Sequence, residues 1–436
     1  MVNRVFAGRR QNGSTDLEAT EHSLREMGQR VGGGLLEKLL NAGGDIARTD
    51  VVCGKGHRAR FTGLRPKQLV TVVGTVRLER GYYYCAQCVD GVIPKDRELD
   101  VEGTSFSPGV RRMMGLVGAK EPFDEGRRDL EELSGVRVST KALERASEAT
   151  GADIEAKAQR ECELAMADKL VWLKPERHIN KMYIAMDGTG VPVVPRETEG
   201  RKGKGPDGKA KTREAKLGCV FTQTAVDDEG RPIRDAQSTS YVGAIETMEE
   251  FGRRIYAEAV RRGMREANEV IVIGDGAPWI WNVAAKHFWG ATQIVDLYHA
   301  LEHLANAGKA AYGALSPKSQ QWLSAHREDL RNGDIDAVVR SLKRLRPSGC
   351  QEKDVVRKEI EYFKKNRERM GYQDFRKRGL FIGSGVVEAG CKTVIGRRLK
   401  QSGMRWTVKG ANSIIALRCC QMSGRWEGYW EARSAG

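Results

Sequence analysis

No apolar run in this 436-residue chain approaches the ~18 residues of a membrane-spanning helix, although 40% of its residues are hydrophobic. A membrane partner is therefore not expected. The opening stretch from Met1 to Arg10 carries charges but no long apolar segment after them, so no signal peptide is expected. Nine cysteines scattered over this length do not make a disulfide framework, which points to reduced thiols and a cytoplasmic protein. Acidic residues are in deficit: 58 Asp and Glu face 73 Lys and Arg, for a formal net charge of +15. The excess is concentrated. Between Arg340 and Lys409 there are 20 Lys and Arg against 7 Asp and Glu, an electrostatic footprint for a polyanion. From Glu352 to Arg369 the signs alternate, and a solvated helical face explains that segment equally well. Arg376, Lys377, Arg378, Arg397, Arg398, Lys400 and Arg405 have only Glu388 as counterweight, and there nucleic acid is the better reading. Lys392 and Trp406 lie in the same stretch and are expected among the DNA contacts.

The length suggests two to four domains. In residues 1 to 50, Leu24, Met27, Val31, Leu35, Leu36, Leu39 and Leu40 recur at helical spacing, and Gly32, Gly33 and Gly34 are expected to break the helix. Residues 51 to 105 hold two ligand pairs, Cys53 with His57 and Cys85 with Cys88, around a hairpin that turns near Gly74. That combination reads as a zinc-ribbon-like β unit with structural, tetrahedral Zn2+ and no open position for catalysis. A small β unit with incidental thiols is the alternative. Residues 106 to 178 are helical in pattern. A helix ending near Leu133, a turn at Gly135 and a second helix capped by Ser139 or Thr140 fit a helix-turn-helix. Lys141 and Arg145 would then face a major groove, although Glu144 and Glu148 fit an ordinary helical hairpin as well.

Residues 179 to 300 read as an α/β body. Tyr183 to Met186 is an apolar run too short for an ordinary helix, stopped by Gly188 and Gly190, and it ends on Asp187. Val270 to Ile273 repeats the pattern and ends at Gly274-Asp275-Gly276, while Gln293 to Val295 leads into Asp296 with His299 three residues on. Ligands gather beyond the carboxyl ends of strands in open α/β sheets. Arg196 to Lys216, rich in Gly, Lys and Arg, reads as a flexible loop able to track a phosphate backbone. Trp279, Trp281 and Trp289 are expected in the core, with one able to stack on a base. Residues 301 to 380 form an all-α block, and 381 to 436 return to the site with Glu388. A capping box on Ser384 would want its acid at Val387, so capping does not explain Glu388, although a surface pair with Lys392 would. Asp187, Asp275 and Glu388 are expected to converge on divalent metal ions.

These motifs, in this order, resemble bacterial insertion-sequence transposases of the ISKra group. The resemblance is carried by Asp187-Gly-Thr-Gly190, Gly274-Asp275-Gly-Ala-Pro-Trp279, Asp296-Leu-Tyr-His299, Gly383-Ser-Gly-Val-Val-Glu388 and Gly396 to Trp406. It implies an α/β ribonuclease-H-like catalytic core interrupted by an all-α insertion, preceded by the zinc-ribbon-like unit and the helix-turn-helix-like domain. It implies Asp187, Asp275 and Glu388 as the catalytic Asp-Asp-Glu triad holding two Mg2+ or Mn2+ ions, with Asp296 and His299 as active-site auxiliaries. The implied reaction is cleavage of phosphodiesters at transposon ends and transfer of the 3′-hydroxyl to target DNA. The implied partners are double-stranded DNA and further copies of the chain on that DNA, with no nucleotide cofactor. Two rivals remain at this point: a transposase-derived DNA-binding protein without chemistry, and a metal-dependent nuclease that only hydrolyses. The +15 charge argues against a polysaccharide-active enzyme built on paired acids.

Overall fold

A computed structural model describes residues 16–42, 49–171, 178–203 and 208–434. The chain divides into two compact units, Met1–Thr150 and Gly151–Gly436.

The first unit opens with helix α1 (Leu17–Ala42), followed by strands β1 (Asp50–Val52), β2 (Arg58–Thr71), β3 (Gly74–Cys85) and β4 (Asp90–Val92). All four pair antiparallel in chain order, and β2 and β3 form the expected hairpin across Val72 and Val73. The three glycines do not break α1. A Cβ on Gly33 would lie 3.0 Å from the Val73 carbonyl oxygen, and one on Gly32 would lie 3.3 Å from the Val73 side chain. Gly32 and Gly33 let the helix touch the hairpin turn, and that contact offsets the about 1 kcal/mol each costs in a helix. Leu36 and Leu40 on the same flank pack onto Leu69, Val76 and Val101. After the short α2 (Pro94–Glu98) come α3 (Pro108–Lys120), α4 (Phe123–Ser134) and α5 (Thr140–Met166), gathered on Val110, Met114, Leu130, Val136 and Leu143. Gly135 ends α4 in the left-handed region (φ 72°), and the Ser139 hydroxyl accepts from the Ala142 amide to start α5. That turn is the expected one. Helix α5 is 27 residues long and runs past Thr150, so the division of the chain into two compact units falls inside it.

The second unit is built on a five-stranded mixed sheet. Its strands are β5 (Ile179–Pro192), β6 (Thr212–Gln223), β9 (Ser240–Ala244), β10 (Ala267–Gly274) and β11 (Thr292–Val295), with a two-stranded ribbon of β7 (Ala225–Val226) and β8 (Pro232–Ile233) beside them. The spatial order is β11-β10-β5-β6-β9. Strands β10 and β11 run parallel to β5, β6 runs antiparallel to it, and β9, antiparallel to β6, points the same way as β5 again. Met182 to Met186 are buried on both faces, as an interior strand requires. Helix α6 (Met248–Arg261) carries the crossover into β10 and starts with a capping box of Thr247 and Glu250. Helix α7 (Pro278–His287) carries the crossover into β11.

Strand β5 does not end at Asp187. Its parallel pairing to β10 stops at Ala185, but its pairing to β6 continues to Pro192. Gly188 and Gly190 do not stop it, because β6 covers that edge: a Cβ on Gly188 would lie 2.7 Å from the Glu214 carboxylate. The basic loop is shorter than expected, since β6 already starts at Thr212; residues 204–207 of that loop lie outside the described part.

Helices α8 (Leu297–Tyr312), α9 (Pro317–Arg331), α10 (Ile335–Arg344), α11 (Cys350–Lys365) and α12 (Tyr372–Lys377) form the all-α block after β11. The chain then returns through α13 (Gly385–Gly390), a π-helical turn over Cys391–Gly396, α14 (Arg397–Leu399), α15 (Val408–Met422) and α16 (Trp426–Ser434).

Candidate functional site

The parallel half of the sheet aligns three acids. Ala185 pairs with Ile273, and Gly274 with Val295. Asp187 and Asp275 each lie two residues past the last β5–β10 pair, and Asp275 and Asp296 each lie one residue past the last β10–β11 pair, so the three acids leave the same end of neighbouring parallel strands. Asp187 is half-buried, and burial pushes its carboxyl pKa up. The Cys391 thiol and the Gly188 amide, 2.7 Å away, act in the opposite sense, and Asp275 pushes it up further. Asp275 accepts from the Ala277 amide at 2.8 Å, and its backbone carbonyl accepts from the Tyr362 hydroxyl at 2.9 Å. Glu388 lies in the first turn of α13. Its Oε1 accepts from Ser384 Oγ at 2.8 Å and lies 3.6 Å from His299 Nε2, so it faces the site rather than pairing with Lys392.

Asp296 does a different job from its two neighbours. It is fully buried, and its Oδ1 accepts from the amides of Tyr298 and His299 at 2.6 and 2.9 Å, capping α8. Its Oδ2 accepts from the Ser384 amide. Asp296 thus joins the end of β11, the start of α8 and the loop that delivers Glu388.

The donors at Asp187, Asp275 and Glu388 are carboxylate oxygens, which suit Mg2+ or Mn2+. The nearby sulfur does not change that. Burial, reinforced by Asp187, drives the Cys391 thiol pKa well above its ordinary range, so Cys391 stays protonated and donates to Asp187. The expected triad of Asp187, Asp275 and Glu388 is more open than a closed ligand cage. Among the described residues, the group of three or more acid, His or Cys side chains with ligand atoms all within 4.8 Å of one another is Cys53, His57, Cys85 and Cys88.

That group belongs to the first unit. Cys53 and His57 bracket a tight turn in which Cys53 N donates to His57 O at 2.7 Å, and Cys85 and Cys88 bracket the turn after β3. His57 Nδ1 and Cys53 Sγ lie 3.1 and 3.7 Å from Cys88 Sγ. Burial and the neighbouring Cys53 and Cys85 push the Cys88 pKa up to about 11. Four such donors around one point could hold a zinc ion.

The basic residues divide. Lys392, Arg397, Lys400 and Arg405 are exposed, and Lys400 Nζ donates to Thr189 Oγ1, two residues beyond Asp187. Arg398 and Trp406, expected at the DNA, are instead buried: the guanidinium lies 5.0 Å over the indole, whose N–H donates to the Leu399 carbonyl at 3.1 Å. Lys141 and Arg145 are exposed on α5, with Lys141 paired to Glu144 at 2.9 Å. Of the three tryptophans expected in the core, Trp281 is buried and Trp279 packs edge-on to Phe251, whereas Trp289 is 94% exposed. Sequence reasoning missed Tyr362, Cys391 and Arg418. Arg418 donates to the carbonyls of Thr393 and Val394, which lie in the π-helical turn. Only the acid three residues before Cys391 could have drawn attention to that thiol; Tyr362 and Arg418 carry no local signal.

No family model and no curated protein matches this chain. Among solved structures, the Drosophila P element transposase strand transfer complex is similar at 9% identity and a TM-score of 0.25, over 78% of this chain and 83% of that chain. Likeness at that level carries no argument about residues or chemistry.

Proposed function

We propose that this protein is an Asp-Asp-Glu DNA transposase of the insertion-sequence type, with a ribonuclease-H-like core interrupted by helices α8 to α12. What supports the reading is that Asp187 and Asp275 follow the same end of adjacent parallel strands, with Glu388 on a helix whose preceding loop is anchored to the next strand end. Asp187, Asp275 and Glu388 would hold two Mg2+ or Mn2+ ions, which, when bound, stabilise the attacking and leaving oxygens of an in-line displacement at phosphorus. The chain's own residues supply the rest. The sheet fixes the two aspartates. Ser384 and His299 orient Glu388. Lys400 sets a cation beside the site, and Lys392, Arg397 and Arg405 provide exposed charge for phosphates. Lys141 and Arg145 on α5 are further DNA contacts. Water opens the phosphodiester at the element's end, and the freed 3′-hydroxyl then attacks target DNA. No covalent enzyme intermediate and no nucleotide cofactor enter. Zn2+ in the Cys53, His57, Cys85 and Cys88 group is structural, and the assembly on DNA is a homo-oligomer in the bacterial cytoplasm.

The test is Mg2+- or Mn2+-dependent cleavage and joining of a labelled fragment carrying the element's own flanking DNA, with wild type beside Asp275→Asn. Joined products from wild type alone are expected. Equal cleavage by both refutes the site. Cleavage without joining reduces the activity to hydrolysis, and binding without cleavage in both leaves a DNA-binding protein.

A further inference from the structure

Helix α1 has two apolar flanks, and among the described residues only one is covered. Leu36 and Leu40 pack on the hairpin. Leu17, Leu24, Val31, Leu35 and Leu39 are 66, 52, 57, 58 and 73% exposed. At 100° per residue these five, together with Gly28, fall within a strip about 80° wide. Single exposed aliphatics are ordinary; five in one line along a 26-residue helix are a contact surface.

We propose that this strip pairs antiparallel with the same strip of a second copy of the chain. The sequence of α1 is self-complementary about a two-fold axis between Gln29 and Arg30. In that register Leu24 meets Leu35, Gly28 meets Val31, Leu17 meets Ala42 and Glu21 meets Lys38, each pair occurring twice. Gly28 has nothing within 4 Å of where a Cβ would stand, so it leaves room for Val31 of the second copy. Glu21 and Lys38 are both exposed and flank the strip. A parallel pair would set Glu21 against Glu21 and Lys38 against Lys38, so charge selects the antiparallel arrangement. The resulting contact is isologous and closes as a dimer. It does not depend on the reading of the acidic site, and it forms without DNA.

Sedimentation velocity on the full chain, without DNA, tests it. A concentration-dependent dimer is expected. Glu21→Lys and Lys38→Glu should each weaken it by roughly five- to thirtyfold, since each replaces two attractions by two repulsions, and the double variant should restore it. Leu24→Glu with Leu35→Glu should leave monomer, with circular dichroism checking that helix content is kept. A monomer at every concentration overturns the proposal. So does a dimer indifferent to the leucine changes, or one that the double charge swap fails to restore. A monomer that instead binds vesicles of phosphatidylcholine and phosphatidylserine would assign the strip to a lipid surface, and also overturns it.

Discussion

Asp296 offers the sharpest test of how the candidate site is assembled. Its carboxylate is fully buried and accepts three backbone amides, two at the start of α8 and one at Ser384, 88 residues away in sequence. Replacing it by Ala removes a helix cap, worth about 0.5–2 kcal/mol. It also removes a charge-assisted bond worth about 1.5–3 kcal/mol and leaves a buried amide without its acceptor. Asp296→Ala should therefore cost roughly 2–5 kcal/mol, a large share of the stability of an ordinary domain. Asp296→Asn separates the two roles. Its remaining oxygen can still cap α8, but its amide group would turn a donor toward the Ser384 N–H. Only the clamp is then lost, at roughly 1.5–3 kcal/mol. Urea unfolding followed by circular dichroism measures the cost, and DNA cleavage measured well below the unfolding transition reads the site. The Asn variant should be folded and strongly impaired, because Ser384 and Glu388 move together. An Asp296→Asn protein as stable and as active as wild type would refute the clamp.

Asp187→Asn should abolish cleavage yet raise stability at neutral pH. Burial raises the folded-state pKa of Asp187, so its ionised form disfavours the fold, and wild-type stability should fall as pH rises through the range just above the ordinary aspartate value. Urea midpoints compared at mildly acidic and neutral pH check this, and a stability loss in Asp187→Asn contradicts it. The purified protein should contain about one zinc per chain by elemental analysis, and Cys88→Ser should lose it together with stability of the first unit. Removing charge at Arg397, Lys400 or Arg405 should lower the salt slope of DNA binding by about 0.9 each. Arg398→Ala should destabilise the fold and leave that slope unchanged, because its guanidinium is packed on Trp406. Tyr362→Phe should cost about 0.5–1.5 kcal/mol by removing the bond to the Asp275 carbonyl, and should reduce cleavage while DNA affinity is kept.

The strands that carry the acids were legible because short apolar runs bounded by glycine have few other readings. That Asp187, Asp275 and Asp296 leave the same end of neighbouring strands was not, since strand order and register belong to pairing and not to spacing along the chain. The glycines misled twice. At Gly188 and in Gly32-Gly33 the sequence shows a residue that weakens regular structure, but a neighbour approaches so closely that only glycine fits there without a shift. Charge counting misled at Arg398, which counts toward the basic stretch yet lies in the core against an aromatic ring. Asp296 was half legible. An acid immediately before a helix is a cap signal, but its third donor comes from a loop far downstream, and local pattern says nothing about that.

The same limit explains why helices α8 to α12 are more than an appendage between two site residues. Helix α8 begins on Asp296 itself, and α11 returns to the sheet, where Tyr362 donates to the Asp275 carbonyl. Between those two points the Tyr362 ring stacks on His303 of α8 at 3.6 Å, and His303 Nδ1 lies 2.6 Å from the Glu359 carboxylate one turn before Tyr362. The block is therefore closed on the site at two strand ends and braced across its own first and fourth helices. A shift of α11 would be felt at the backbone of Asp275, and a shift of α8 at the cap that holds Ser384. One route ends at the Asp275 carbonyl and the other at Ser384, whose hydroxyl holds Glu388, so the helical block braces the backbone of one proposed site residue and the side-chain partner of another.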